Sequence, residues 1–188
     1  MIRKHEPLYA YFNKQYKMNY FNQESERLTY RALTENDIDS WTEFFENNDR
    51  LAFLGIDLSR DVRIIATEWI MKQLERYRNQ GLGHLAVIEK STGEFIGMGG
   101  ILPRELNEKA EHEIAFSLKP KYWNKGYGTE VARQMKLFGQ QNKIASSFIS
   151  IIDKNNIASI NVAKKNNMFV IAETEFLGMS VYVYGDVK

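Results

Sequence analysis

The 188-residue sequence predicts a mixed α/β domain, one sheet flanked by helices. Three observations carry this. Short runs of alternating apolar residues, rich in β-branched and aromatic side chains, mark strands. Between them lie longer segments with apolar residues every three or four positions, the mark of amphipathic helices. A strand-like run also stops at Pro120, crosses a basic, aromatic loop and enters a helix through Gly126 and Gly128.

Residues 1–24 stand apart. Tyr9, Phe12, Tyr16 and Tyr20 fall three and four apart, which gives an aromatic stripe on a helix. The stripe packs on the domain or on a second subunit, or it forms a lid over substrate. A homodimer is therefore open. We read 1–24 as a helical extension and 25–188 as the domain proper.

The first strand is Arg27–Ala32. Thr34, followed by Glu35 and Asp37, reads as a helix N-cap with an acidic first turn. That helix carries Ile38, Trp41, Phe44 and Phe45 on one side. Ser59 and Asp61 open a longer helix with Val62, Ile65, Trp69, Leu74 and Tyr77 inward, ended by Gly81 and Gly83. Strands His84–Lys90 and Glu94–Leu102 flank a Ser91-Thr92-Gly93 turn. Residues 103–110 read as a polar loop. In the next strand, Glu111–Leu118, His112, Ile114, Phe116 and Leu118 share one face, and Glu113, Ala115 and Ser117 the other. A helix at Thr129–Gln140, a strand at Ser147–Ile152 and a helix at Ala158–Lys165 follow. Strands at Phe169–Glu175 and Met179–Tyr184 close the chain.

Composition narrows the function. The formal net charge of +1 gives no general nucleic-acid surface. With no cysteine, the chain has no disulfide, no thiolate metal site and no cysteine nucleophile, which fits a reducing cytoplasm. No uncharged apolar stretch nears the ~18 residues of a membrane span. The N-terminus lacks the apolar run of a secretory signal. His5, His84 and His112 are scattered, so no metal site is expected.

The strand–loop–helix junction carries the chemistry. Helix N-terminal amides and the helix dipole favour a phosphate or pyrophosphate, and Lys121 and Lys125 add positive charge. A dinucleotide fingerprint would need a glycine where Val131 stands, and a P-loop would need Gly-Lys-Ser/Thr, which is absent. Gly97-Met-Gly-Gly100 lies within a strand, where close packing or a bulge is the simpler reading.

The run Glu113–Glu130 as a whole closely resembles the acetyl-coenzyme-A motif of the GNAT acetyltransferase superfamily. More narrowly, it looks like the subgroup that acetylates the N-termini of ribosomal proteins. Trp123 takes the first position of the family's Gln/Arg-x-x-Gly-x-Gly/Ala loop, and Gly126 and Gly128 take the glycines. Glu26-Arg-Leu28 and Asn156-Ile-Ala-Ser159 resemble further motifs of the subgroup. Asn124 stands where glycine is frequent, Asn167-Met168 replaces Gly-Phe, and Ala163 replaces a frequent tyrosine acid. Asn167 suits the left-handed conformation of a helix end.

The resemblance implies a mostly antiparallel sheet, splayed between the strand ending at Leu118 and the one beginning near Ser147. Pantetheine would lie in the gap as an extra strand would. Backbone amides of Trp123, Asn124, Lys125, Gly126, Tyr127, Gly128 and Thr129 would hold the pyrophosphate. An amide around Phe116, Ser117 and Leu118 would face the acetyl oxygen. Glu113 is either the base for the attacking amine or a surface carboxylate. Ser159 either donates to the leaving thiolate or caps its helix, and Asn156 either holds the pantetheine amide or caps as well. Tyr122 and Tyr182 are weaker acid candidates. The implied activity is acetyl-CoA-dependent N-acetyl transfer to a primary amine, with a protein or peptide N-terminus preferred. Alternatives are a small amine (aminoglycoside, polyamine or amino acid), or a CoA-binding module without catalysis. An acidic cleft built from Glu43, Glu46, Asp49 and Asp57 would favour a polycation.

Overall fold

Eight strands and four α-helices build the fold in the computed structural model, which describes residues 20–186. Tyr9, Phe12 and Tyr16 of the predicted stripe lie outside the described residues. Tyr20 lies within them and is fully buried. Its hydroxyl donates to the Gly83 carbonyl (2.5 Å) and accepts from the Ile101 amide (2.9 Å). A phenol with both hydrogen-bonding roles filled is a stable anchor in an apolar core.

Strands β1 (Asn22–Glu24), β2 (Leu28–Arg31), β3 (Gly83–Glu89), β4 (Phe95–Leu106) and β5 (Lys109–Leu118) form an antiparallel run. Next come β6 (Ile149–Asp153), β8 (Met179–Gly185) and, at the edge, β7 (Phe169–Phe176). Residues 22–24 thus extend the sheet ahead of the predicted first strand.

The polar loop predicted for 103–110 is corrected. β4 runs on through Pro103 and Arg104, and β5 starts at Lys109. Asn107 and Glu108, both at positive φ (48° and 62°), make the tight turn between them. Among the described residues β3 pairs with β4 only as far as Gly83–Ile101, so beyond Ile101 one side of β4 has no strand partner among them, and proline is tolerated there.

α1 (Ile38–Thr42) follows a 3-10 turn at Glu35–Asp37, held by a capping box between Thr34 and Asp37. α2 (Val62–Gln80) starts where the Asp61 carboxylate accepts from the Ile64 amide (3.1 Å). It stops at Gly81 in the left-handed region. Trp41, Phe44, Ile65 and Ile70 of this layer bury against Ala86 and Met98 on one sheet face. α3 (Tyr127–Gln141) packs Val131, Met135 and Phe138 on the opposite face, against Leu85, Ile101 and Ile114. It lies close because a Cβ on Gly99 would sit 2.2 Å from Val131 Cγ1. α4 (Ile157–Lys165) lies beside α3 and buries Ile160 and Ala163 against Ile152 and Tyr184.

The break in this sheet positions the site. β5 and β6 are parallel and share one registered pair, Glu113–Ile149. Toward Leu118 the strands part. Ser150 Oγ donates to the Ile114 carbonyl (2.8 Å) at the mouth of the gap, a side chain substituting for the missing ladder bond.

Candidate active site

Hydrogen bonding along β5 alternates sides. The Ile114 and Leu118 carbonyls are taken by groups on the gap side, Ser150 Oγ and Trp123 Nε1 (2.7 Å), whereas Lys119 N–H turns back to Ile96 of β4. Phe116 therefore directs its amide and carbonyl into the gap. Ser117 points its backbone at β4, and its side chain is buried on the α1–α2 face. An unpaired buried amide costs about 1–3 kcal/mol, which an extended polar ligand in the gap offsets.

At the end of β5 the chain enters the predicted loop. Pro120–Tyr122 make a 3-10 turn, and the Trp123 amide is consumed by the Pro120 carbonyl (3.0 Å). That removes Trp123 N–H from the predicted donor row. Its indole instead fastens the loop to Leu118. Asn124 is left-handed at φ 60°, which asparagine tolerates, and Gly126 is left-handed at φ 82°. The first backbone bond of α3 runs from Glu130 N–H to the Gly126 carbonyl (3.2 Å), so the amides of Tyr127, Gly128 and Thr129 precede it as orphan donors. Asn124 to Thr129 thus present main-chain N–H groups at a helix N-terminus, an anion-binding arrangement.

Side chains clamp this loop. Glu130 accepts from the Arg27 amide (2.7 Å), Arg27 Nε (2.8 Å) and Ser25 Oγ (2.7 Å). Arg27 also donates to the Lys125 carbonyl (2.9 Å). Tyr127 Oη donates to Glu89, and Tyr122 Oη to Glu94. Burial, then the Glu94 carboxylate, pushes the Tyr122 phenol above its ordinary value; for Tyr127, Glu89 acts first and burial second. Both are poor acids and good braces. Arg50 stacks its guanidinium 3.8 Å from the Trp123 ring centroid.

Two connected cavities follow. A cleft of about 330 Å³ is lined by the loop, Arg50, Asn156, Ser159 and Lys165. A slot of about 140 Å³ passes between β5 and β6, lined by Glu113, Ala115, Phe53, Ser150 and Met168 among others. Leu54, Phe116, Asn156, Ser159 and Val162 line both. Asn156 Oδ1 accepts from the Ser159 amide (3.1 Å), so Asn156 is the cap of α4 and also a wall of the cleft. Ser159 faces both spaces.

Glu113 is buried at 6% exposure, so it is no surface carboxylate. Arg104 Nε donates to its Oε2 (2.5 Å), leaving Oε1 without a hydrogen-bond partner among the described residues. Arg104 is not legible as a site residue in the sequence, where residues 103–110 read as a loop. Arg27, Arg50 and Glu130 are not legible there either; only the closed fold brings them to the loop. Tyr182 lies on β8 beside Lys154, outside both linings. Among the described residues no group of His, Asp and Glu side chains could hold a metal. None of their helices is long and apolar enough to cross a membrane.

The family described as "Acetyltransferase (GNAT) domain" matches residues 27–168. The chain is 31% identical over 101 residues to the uncharacterized protein YkkB of Bacillus subtilis (strain 168), a match covering 54% of this chain and 59% of that protein. Among solved structures, a putative ribosomal-protein-serine acetyltransferase from Vibrio cholerae superposes with TM-score 0.72 at 17% identity, covering 89% of this chain and 98% of that one. RimL, described as a ribosomal L7/L12 alpha-N-protein acetyltransferase in complex with coenzyme A, gives 0.70 at 15% identity, covering 87% and 95%. With the splayed β5–β6 gap, the amide-lined loop at the head of α3 and a family match over most of its length, the chain belongs to the GNAT acetyltransferase family.

Proposed function

We propose that the chain transfers acetyl directly from acetyl-CoA to a primary amine, with the α-amino group of a protein or peptide as acceptor. The observation that carries this reading is the row of amides from Asn124 to Thr129 opening onto the gap beside Phe116. The diphosphate fits that row, with Arg50 and Lys165 as nearby cations. Acetyl-CoA supplies the activated acyl group.

The amine nitrogen attacks the acetyl carbonyl; a C–N bond forms and the C–S bond breaks. Phe116 N–H is the donor best directed at the developing oxyanion. Glu113 takes the amine proton through its free Oε1, directly or by way of a water. Ser159 donates to the departing sulfur. An α-amino group, with a reference pKa near 8, reaches the neutral form far more readily than a lysine near 10.4. With no cysteine in the chain, no acyl-enzyme on sulfur intervenes.

Structural neighbours described as ribosomal-protein acetyltransferases favour a protein acceptor. The polycation alternative has less support at two of its four carboxylates. Glu43 is engaged by Lys119 and Lys121 (3.3 Å each), and Asp57 accepts from Ser59. The test is thiol release from acetyl-CoA with a panel of peptides and small amines. Turnover of N-terminal peptides supports the reading. CoA binding without any turnover would leave a binding module.

A further inference from the structure

Direct strand partners share a sheet face. The pairs His84–Gly100, Gly100–Ala115, Leu102–Glu113 and Arg104–Glu111 therefore put His84, Arg104, Glu113 and Ala115 together under α2. Gln73 of α2, 1% exposed, joins them: its Oε1 accepts from the His84 amide (3.0 Å) and from Arg76 Nη1 (3.1 Å). Arg104 reaches Glu113 on one side and stands 5.4 Å from the Phe176 ring centroid on the other.

Among the described residues one guanidinium of this cluster is largely unpaired. Arg76 and Arg104 are cations and only partly exposed, Glu113 is the buried carboxylate beside them, and Glu111, the strand partner of Arg104 on this face, is partly exposed. Glu75, next to Arg76 on α2, is exposed to solvent. Among the described residues Arg76 makes one hydrogen bond, to a neutral amide, out of the five its fork can give. Burial first, and Arg104 second, push Arg76 below the ordinary guanidinium range, so its charge is held at a cost. His84 is 6% exposed, and neither ring nitrogen has a partner among the described residues. A neutral imidazole adds no charge of its own and has an N–H to give.

We propose that Arg76 and Arg104 form a carboxylate-binding subsite beside Glu113, so that the acceptor is an amine carrying a carboxylate near its amino group. The subsite adjoins the slot that Glu113 and Ala115 line. A planar, doubly accepting carboxylate matches the unused fork of the Arg76 guanidinium. A polyamine meets like charge there. This inference rests on the acetyl-transfer reading, since it places the acceptor amine against Glu113.

The test uses the full chain, acetyl-CoA and matched acceptors. One pair is free amino acids against their α-amides; the other is Ala-Glu-Ala amide against Ala-Gln-Ala amide. The acid member of one pair is expected to show kcat/KM at least tenfold higher, and which pair responds tells a free amino acid from an acidic peptide end. Arg76→Gln should remove that preference by raising KM for the acid. Equal kcat/KM for acid and amide in wild type, or an Arg76→Gln variant that slows both alike, overturns the subsite. Without any turnover, the same pairs are titrated into the CoA-loaded protein. Tighter binding of the acid supports the subsite while transfer fails, and equal or absent binding overturns it.

Discussion

Arg27 and Glu130 join the entrance of β2 to the first turn of α3 through two hydrogen bonds, of 2.7 Å from the Arg27 amide and 2.8 Å from its Nε. The same guanidinium holds the Lys125 carbonyl and lies 4.4 Å from the Tyr127 ring centroid. The loop that presents the anion-binding amides is thus shaped by a residue from the far end of the sheet. Although burial opposes it, bonds from the Arg27 amide, Ser25 and Arg27 hold the Glu130 carboxyl below the usual range.

Glu130→Gln keeps the shape and removes the charge. Charge-assisted bonds are worth about 1.5–3 kcal/mol, but Arg27 is 42% exposed, so solvent screening brings the loss to about 1 kcal/mol. A chain of this size should then melt about 2–4 °C lower. CoA affinity should fall several-fold by calorimetry, because the donors lose their fixed spacing. Lower stability with unchanged affinity would show that the loop needs no such clamp.

Gly126→Ala acts on the same loop by another route. At φ 82° a Cβ costs about 1–2 kcal/mol, and the new methyl sits 3.4 Å from Arg27 Nη2. The chain relieves this by turning the amides. CoA affinity should drop more than tenfold, beyond the effect of Glu130→Gln.

Periodicity located most of the elements in the sequence. The left-handed Asn167 (φ 56°) was also foreseeable, from asparagine tolerance alone. Residues 103–110 were not. Their charge and their proline speak for a loop, and only the end of β3 at Ile101 pairing shows why a strand persists there. Arg104, and with it the ion pair of Glu113, therefore emerges only from the strand pairing. The site was legible where it consists of local backbone, as at Gly126 and Gly128. It was not legible where it depends on partners far apart in sequence, as at Arg27–Glu130 or Gln73–His84.

Glu113→Gln separates chemistry from binding. Loss of a general base costs about 10²–10⁴ in rate, so kcat should fall at least a hundredfold while acetyl-CoA affinity holds. Ser159→Ala should cost less, about tenfold in kcat, since a thiolate with a reference pKa near 8.5 leaves with little help. Neither the amide of Ser159 nor its bond to Asn156 is altered, so the melting temperature should not move. Steady-state kinetics beside CoA calorimetry read both. A Glu113→Gln enzyme with wild-type kcat would leave that carboxylate a packing role with Arg104.

His84 predicts a pH signature in stability. Burial first, then the charges of Arg76 and Arg104, push its imidazole down to about 3 from the ordinary 6.5. Between these values the unfolded chain binds a proton that the native one refuses. Stability is therefore complete above about pH 6.5 and is lost as pH falls toward 3, at ~1.4 kcal/mol per pH unit. His112, also depressed by burial, contributes in the same direction but is only partly covered. Carboxylates held low by partners, such as Asp37 and Glu130, act only in the acid range below the usual carboxylate value. The window from about pH 4.5 to 6 thus isolates the histidines. Urea unfolding across it should give a slope near one proton for wild type, little change for His112→Gln, and a flattened slope for His84→Gln. A wild-type slope near zero would mean that His84 finds its proton in the folded state.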